Sequence, residues 1–349
     1  MKAIGILGLG TYVPEEIVTT RQLRDKYQIS KDGVLKKVAE LFKTTGINER
    51  RYVADEQNTS DLAFGASVRA LDNASIGLEK IDMVILTSSS PESIFPATAC
   101  RLLRKLNALF GSENRCRAYD ESAACSGFVY GLESAYNAIL SGRYQNVLVV
   151  GAEVVTRELM FSAEGNWWQT FTLFGDGAGA AVVGPVKEGY GFLDFYTRTD
   201  SSLSELARSD GLGTRLADIG IAPQMYLNGP AVFKAAVRTM SEAIEKICEQ
   251  CSVAVADIDW LVLHQANKRI TEGVAVELGL ATKEMIELGL LPEKMINEIV
   301  NFGNTSTASI PLALEQAILK GQIKDGDLIA LAAAGAGMTY GACLLRWGR

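Results

Sequence analysis

The sequence predicts an α/β protein built from two similar halves, each a mostly parallel sheet covered by helices, and three observations carry that reading. Ile81-Asp82-Met83-Val84-Ile85-Leu86-Thr87 is echoed later in the chain by Ile258-Asp259-Trp260-Leu261-Val262-Leu263-His264. At almost the same spacing, Ala138-Ile139-Leu140-Ser141-Gly142, ahead of the apolar run Val147-Leu148-Val149-Val150, is echoed by Ala317-Ile318-Leu319-Lys320-Gly321, ahead of Leu328-Ile329-Ala330-Leu331. Each copy reads helix, glycine stop, short apolar run, the order of a β/α repeat, because parallel strands need a crossover helix. Sheets buried on both faces stack as alternating helix and sheet layers. The turn signals Gly184-Pro185 and Gly189-Tyr190-Gly191 divide the chain into halves 1–187 and 188–349.

Size and composition narrow the class. A chain of 349 residues with 48% hydrophobic residues can bury a large core, and its length suits about two domains. A net charge of −7 and a pI near 5.1 argue against a nucleic-acid partner, which needs a strongly basic face. The apolar start, Ile4 to Gly10, runs into Tyr12-Val13-Pro14 without a small-residue cleavage site and reads as a first strand. No run reaches the ~18 uninterrupted apolar residues of a membrane helix, so the expected location is the cytoplasm. Six scattered cysteines suit a reducing compartment. Cys248-Glu249-Gln250-Cys251 falls inside a helical pattern starting at Val232, with no second pair to complete a zinc site, and is read as structural. Neither a metal nor a cofactor is expected.

The sole histidine, His264, follows an apolar run and opens His264-Gln265-Ala266-Asn267-Lys268-Arg269-Ile270. A strand ending there delivers an imidazole at its carboxyl end, where open α/β sheets place their chemistry. A lone histidine on an apolar element is more often a satisfied core residue; its neighbours in the fold decide. Cys125 lies among small residues in Ala123-Ala124-Cys125-Ser126-Gly127-Phe128, just before a helical pattern. A helix amino terminus favours a thiolate and hence a nucleophile. Cys100, Cys116 and Cys343 are read as buried structural cysteines. Asn304 sits in Gly303-Asn304-Thr305-Ser306-Thr307-Ala308-Ser309-Ile310-Pro311, a small polar turn that caps the next helix. The spacing that carries Ala138 to Ala317 also carries Cys125 to Asn304, so that thiol, imidazole and amide are expected to meet where the halves join. The loop Ala334-Gly335-Ala336-Gly337-Met338 allows close backbone approach, and its amides together with that of Cys125 suit a developing oxyanion. Gly175-Asp176-Gly177-Ala178-Gly179-Ala180 fits a dinucleotide fingerprint in letters, but strand residues Ala181-Val182-Val183 follow where a helix is required. Asp200 to Gly220 reads as a polar surface excursion.

Five motifs in order, A-A-C-S-G-F, F-G-D-G-A-G-A from Phe174 to Ala180, H-Q-A-N-x-R-I, G-N-T-S-x-A-S-I-P and G-A-G-M-T-Y-G, resemble the β-ketoacyl-(acyl-carrier-protein) synthase III family of thiolase-fold condensing enzymes. The resemblance spans nearly the whole chain. It implies a thiolase-like fold of duplicated βαβαβαββ halves in five alternating layers (αβαβα). It also implies an acyl-Cys125 intermediate formed from an acyl-CoA or acyl-carrier starter, and a malonyl thioester whose decarboxylation His264 and Asn304 assist. The backbone of Cys125 and Ala336 would form the oxyanion hole. Phe95 would enter the acyl pocket of a neighbouring subunit, implying a homodimer, and Lys234 and Arg269 would receive an acidic acyl carrier protein.

The sequence departs from the family pattern in places. Where the family sandwiches the adenine of coenzyme A between a tryptophan and an arginine, the matching positions here are Glu40 and Trp168. Ala336 replaces a glycine, Leu288-Gly289-Leu290-Leu291-Pro292-Glu293 is additional, and Trp167-Trp168 adds bulk. These changes point to a specialised condensing enzyme that loads its starter from a carrier protein or makes a secondary metabolite, rather than the housekeeping initiator of fatty acid synthesis. Two alternatives remain at this level: a Cys125-dependent acyltransferase or thioesterase, and a non-catalytic partner subunit.

Overall fold

The computed structural model describes residues 3–27, 30–31, 34–35, 38–159, 172–210 and 224–349. One sheet contains β1 (Ile4–Tyr12), β2 (Met83–Thr87), β3 (Arg117–Glu121), β4 (Val147–Glu153) and β5 (Gly177–Pro185), in the spatial order β1-β5-β4-β2-β3. β6 (Gly191–Thr199) follows, then a hairpin of β7 (Ala207–Asp210) and β8 (Gln224–Leu227). β9 (Trp260–Leu263), β10 (Leu328–Gly335) and β11 (Thr339–Arg346) complete a second sheet of order β6-β11-β10-β9. The two sheets repeat one pattern: two antiparallel pairings, β1/β5 and β5/β4 or β6/β11 and β11/β10, then a parallel one, β4/β2 or β10/β9. Beyond β9, a single parallel bridge from Leu261 to Met295 stands where the first sheet has β3.

Side-chain alternation along the strands builds the layers. Val84 and Leu86 of β2, with Leu148 and Val150 of β4, pack under α1 (Thr59–Ala74) and α2 (Thr98–Phe110) through Leu62, Leu71 and Leu102. Met83 and Ile85 face the opposite way, onto α3 (Gly127–Leu140). After α4 (Gly229–Cys251) and α5 (Lys268–Glu277) comes α6 (Ser309–Leu319), which shares the central layer with α3 between the sheets. Phe128, Leu132, Ile310 and Leu314 of these two helices meet Val149 on one side and Leu331 and Cys343 on the other. α4 and α5 cover the far face of the second sheet with Ile244, Ile247 and Val274. The result is the five-layered α-β-α-β-α arrangement. Because both faces of each sheet are covered, β2, β4, β9 and β10 read as unbroken apolar runs rather than alternating ones.

The central helices differ in length, and that corrects the expected register. The last residues of α3 and α6, Leu140 and Leu319, match at the spacing read from the sequence, but α3 has 14 residues and α6 has 11, so their first residues, Gly127 and Ser309, do not. A 3-10 turn precedes each, Ala124–Ser126 and Ser306–Ala308, and its first residue is a non-glycine at positive φ, 46° for Ala124 and 48° for Ser306. Cys125 is therefore matched by Thr307, not Asn304. The segment from Asp200 is not wholly a surface excursion either: Ser201–Leu206 forms a 3-10 turn and β7 pairs with β8, while residues 211–220 fall outside the described ones.

β1 and α1 approach closely through glycine. A Cβ on Gly10 would lie 2.3 Å from the Ala70 nitrogen. Gly10→Ala is expected to cost about 1–3 kcal/mol, read as a lower urea midpoint at unchanged slope.

Candidate active site

A cavity of about 300 Å³ lies where the carboxyl ends of the strands meet the amino ends of the central helices, and Cys125, His264 and Asn304 all line it. β9 ends at Leu263 and hands His264 to that junction; the His264 N–H closes onto the Ala332 carbonyl at 2.8 Å, so the ring is held as an extension of the strand. The rest of the H-Q-A-N run is structural. Gln265 donates to the Leu263 and Ile296 carbonyls and accepts from the Glu298 N–H, and Asn267 caps α5 by accepting from the Ile270 N–H.

The tautomer of His264 follows from its hydrogen-bond network. Nδ1 lies 2.7 Å from Ser309 Oγ, at the first residue of α6, and the same Oγ accepts the Gln265 N–H at 3.3 Å. Ser309 is buried, and among the described residues its own proton has Nδ1 as its acceptor. A protonated Nδ1 would leave that hydroxyl proton without a partner in the interior, a cost of about 1–3 kcal/mol. Nδ1 therefore accepts, and Nε2 carries the proton. Burial pushes the imidazole down to about 4, so it stays neutral at physiological pH.

Asn304 is oriented in the same sense. Its main chain is stitched to the segment before β5, through Asn304 N–H to the Leu173 carbonyl at 2.8 Å and Gly175 N–H to the Asn304 carbonyl at 3.0 Å. Its Oδ1 accepts the Ser306 N–H at 2.8 Å, which commits the amide oxygen and leaves the Nδ2 donors for the cavity. Two N–H donors of neutral groups thus serve one apolar chamber.

Cys125 is half-buried, in the turn ahead of α3. Ser306 Oγ lies 3.4 Å from its Sγ. The helix end alone predicts a thiol shifted towards the thiolate; instead burial dominates and pushes it up to about 11, against the lowering effect of the Ser306 hydroxyl. The β10 end comes within van der Waals limits of this turn: a Cβ on Gly335 would lie 2.7 Å from both the Cys125 nitrogen and the Ala123 carbonyl oxygen. Absence of that side chain keeps the Cys125 amide beside the cavity, and Ala336 lines it as well. The chamber can hold an acyl thioester with its carbonyl among amide donors.

Other residues singled out from sequence lie farther off. Phe95 is 84% exposed and Ile94 78% exposed, on the loop before α2, outside the cavity. Lys234 and Arg269 are exposed and line an outer recess that shares Leu173, Leu227, Val232, Asn267 and Ile270 with the inner cavity. The Arg269 guanidinium sits 5.7 Å from the Phe233 ring centre. Glu40 is exposed on the helix Val38–Thr45, one turn from Thr44 at the rim of that recess. Trp167 and Trp168 lie outside the described residues. Leu288 and Leu290 are exposed. Cys343 is buried and Cys116 half-buried, whereas Cys100 is exposed rather than buried. Cys248 and Cys251 share one helix, and among the described residues no metal-binding cluster forms; none of their helices is long and apolar enough to cross a membrane.

Sequence reasoning missed the supporting groups. Ser306 and Ser309 stand inside a motif noted for Asn304, but hydroxyl roles leave no spacing signal. Arg208, Met225 and Tyr226 of the β7/β8 hairpin also line the cavity; the short run Met225-Tyr226-Leu227 suits a strand but gives no sign of where it lies.

Comparison with known proteins agrees with this geometry. The family profile described as 3-oxoacyl-[acyl-carrier-protein (ACP)] synthase III matches residues 119–201, and that of its C-terminal part matches residues 248–347. A β-ketoacyl-[acyl-carrier-protein] synthase III of Oceanobacillus iheyensis is 40% identical over 99% of both chains. The chain belongs to the 3-oxoacyl-[acyl-carrier-protein] synthase III family. Solved members have its thiolase-like fold: the Thermus thermophilus structure aligns at a TM-score of 0.84 with 38% identity over 99% of both chains. The Aquifex aeolicus structure aligns at 0.83 with 35% identity, over 99% of this chain and 100% of that one. As a synthase III family member this chain is an enzyme of the condensing, acyl-transferring type.

The buried imidazole has a consequence for stability. In the unfolded chain it titrates near its ordinary 6.5 and in the folded chain near 4. Between those values the unfolded state binds more protons, so the contribution is complete above pH 6.5 and is lost as pH falls towards 4. The unfolding free energy of the protein minus that of His264→Gln should fall by about 2–3 kcal/mol between roughly pH 7.5 and 4.5, measured by urea denaturation.

Proposed function

We propose that this chain carries out a decarboxylative Claisen condensation, joining an acyl starter held on Cys125 to a malonyl thioester and releasing a 3-oxoacyl thioester. The observation that carries this reading is the pair of neutral donors, His264 Nε2–H and Asn304 Nδ2–H, serving the cavity that holds the nucleophile. Loss of carbon dioxide from the malonyl group places negative charge on the thioester oxygen of an enolate. Two fixed donors in a site of low polarity stabilise that charge, and no proton has to leave the enzyme. The enolate carbon then attacks the acyl-Cys125 carbonyl, whose oxygen the Cys125 and Ala336 amides receive, and the thiolate of Cys125 departs. Splitting the reaction through the acyl-enzyme separates loading from carbon-carbon bond formation. Transfer to water, an amine or an alcohol forms no enolate and has no use for the pair.

The partners belong to the same proposal. An acidic acyl carrier protein docks against Lys234 and Arg269 at the mouth of the outer recess, and the net negative charge of the chain does not oppose this because the patch is local. Phe95, exposed in one subunit, completes the acyl pocket of a second copy in a homodimer. The carboxylate of Glu40, one helical turn from the rim, repels the phosphates of coenzyme A, which supports a carrier-borne starter, and the enzyme acts in the cytoplasm. The halves 1–187 and 188–349 each contribute: the first the nucleophile, the second the donors.

Asn304→Ala and His264→Ala are each expected to leave acylation of Cys125 within a few-fold while slowing condensation by about 10²–10³-fold. Intact-protein mass spectrometry after an acyl-thioester pulse and a malonyl-carrier chase reads both steps. For the carrier, the double variant Lys234→Glu with Arg269→Glu should raise KM for a carrier-borne substrate by roughly tenfold or more. Reaction with a small free thioester should be unaffected, and a parallel rise there would contradict docking at this patch.

A further inference from the structure

Gly335 ends β10 and Thr339 opens β11, and the two face each other across the sheet, so Ala336-Gly337-Met338 is the loop of a tight hairpin. Ala336 and Met338 line the cavity, whereas Thr339 does not. The side chain of Thr339 reaches instead into the first half of the chain. Its Oγ1 donates to the Ala123 carbonyl at 2.8 Å, in the turn that carries Cys125. The Ala336 carbonyl of its own loop lies 3.3 Å away, and of the two acceptors the nearer one makes the better bond. Ser126, fully buried on the other side of Cys125, joins the same cluster: its Oγ lies 2.6 Å from the Ala123 carbonyl and 2.8 Å from Thr339 Oγ1. The Ser126 N–H also meets that carbonyl, at 3.2 Å.

The two amides assigned to the oxyanion, those of Cys125 and Ala336, stand in different halves of the chain, and local backbone geometry cannot set the distance between them. Gly335 permits the halves to approach, since a Cβ there would lie 2.7 Å from the Cys125 nitrogen and from the Ala123 carbonyl oxygen. An absent side chain sets only a lower limit on that distance and attracts nothing. The attraction comes from the hydroxyls: Thr339, three residues after Ala336, holds the carbonyl two residues before Cys125, and Ser126 closes the bond network from the Cys125 side.

We infer that Thr339, with Ser126, is a positioning residue that fixes the spacing of the Cys125 and Ala336 amides and so the shape of the oxyanion site. This rests on the oxyanion role given to those amides above. A donor serves an oxyanion only when it stands about 2.7–3.1 Å from where the charge forms. A misplacement of about 1 Å can cost on the order of 10²-fold in rate. Thr339 therefore matters to every step in which Cys125 attacks or leaves a carbonyl carbon, without touching the substrate itself.

The test compares two reactions of the same thiol at one pH, read on the Cys125 peptide by mass spectrometry: acetylation by p-nitrophenyl acetate and alkylation by iodoacetamide. In the first, Sγ bonds to the acetyl carbon through a tetrahedral oxyanion, the ester C–O bond breaks, p-nitrophenolate leaves and the thiol proton goes to water. In the second, iodide leaves a tetrahedral carbon and no oxyanion forms. Neither reaction needs a carrier, coenzyme A or a malonyl group, so a failure of the condensation reading leaves the comparison intact. Thr339→Val is expected to lower the ratio of acetylation to alkylation about tenfold or more with alkylation itself within about twofold, and Thr339→Ser, which keeps the hydroxyl, to hold the ratio within about threefold of the intact protein. Both reactions slowing together would mean that the thiol has moved, and an unchanged ratio would mean that the hydroxyl does not set the spacing. Either result, or a Thr339→Ser variant as impaired as Thr339→Val, overturns the inference. If Thr339→Val does not fold, Ser126→Ala decides: a ratio lowered about threefold or more supports the positioning role, and a smaller change overturns it.

Discussion

Everything at this site depends on one packing constraint: two helices, α3 and α6, are sandwiched between two sheets, and their amino ends meet the carboxyl ends of strands from both. Helix starts expose unpaired N–H groups and strand ends expose side chains, so the junction is polar by construction. Apolar layers surround it on every side. Polar groups held there gain by satisfying one another, because each unsatisfied one costs about 1–3 kcal/mol, an appreciable fraction of the roughly 5–15 kcal/mol by which a folded protein is stable. That requirement is what orients the site. Ser309 fixes the imidazole, the Ser306 N–H fixes the Asn304 amide, and the groups left unused by those bonds are the ones that face the cavity.

The same constraint sets the protonation states. Water exclusion disfavours charge on both the thiol and the imidazole, so the resting site holds a neutral pair. A neutral imidazole with its proton on Nε2 is a donor without being an acid, which suits the stabilisation of an enolate oxygen better than the quenching of its carbon by proton transfer. The duplication then divides labour between the halves. The first brings Cys125, and the second brings His264, Asn304 and the serines that orient them; Gly335 of the second leaves room beside the Cys125 amide of the first.

Much of this was legible in the sequence because burial on both faces writes itself as unbroken apolar runs. The echo of Ile81–Thr87 in Ile258–His264 and the five ordered motifs pointed to the fold and the three cavity residues. What the sequence misplaced was the pairing of Cys125 with Asn304. That spacing came from matching helix ends, and it fails at the helix starts because α3 is 14 residues long and α6 only 11. The roles of Ser306 and Ser309 were not legible, since a hydroxyl acquires a function only from a partner elsewhere in the chain. The thiol's state was misjudged for a similar reason: the helix end is local and readable, whereas burial is the sum of contacts from both halves. The β7/β8 hairpin lines the cavity although only the short run Met225-Tyr226-Leu227 marks it as a strand.

The central claim is that His264 is a neutral imidazole with Nδ1 accepting and Nε2 donating into the cavity, and the chain offers an unusually clean way to examine it. With one histidine in 349 residues, protein labelled with nitrogen-15 in histidine alone gives a single pair of ring signals and needs no assignment. The account predicts a proton on Nε2, a bare Nδ1, and no titration between pH 8 and about 5, given an imidazole held down to about 4. A protonated Nδ1, or an imidazolium forming near pH 6.5, would contradict it.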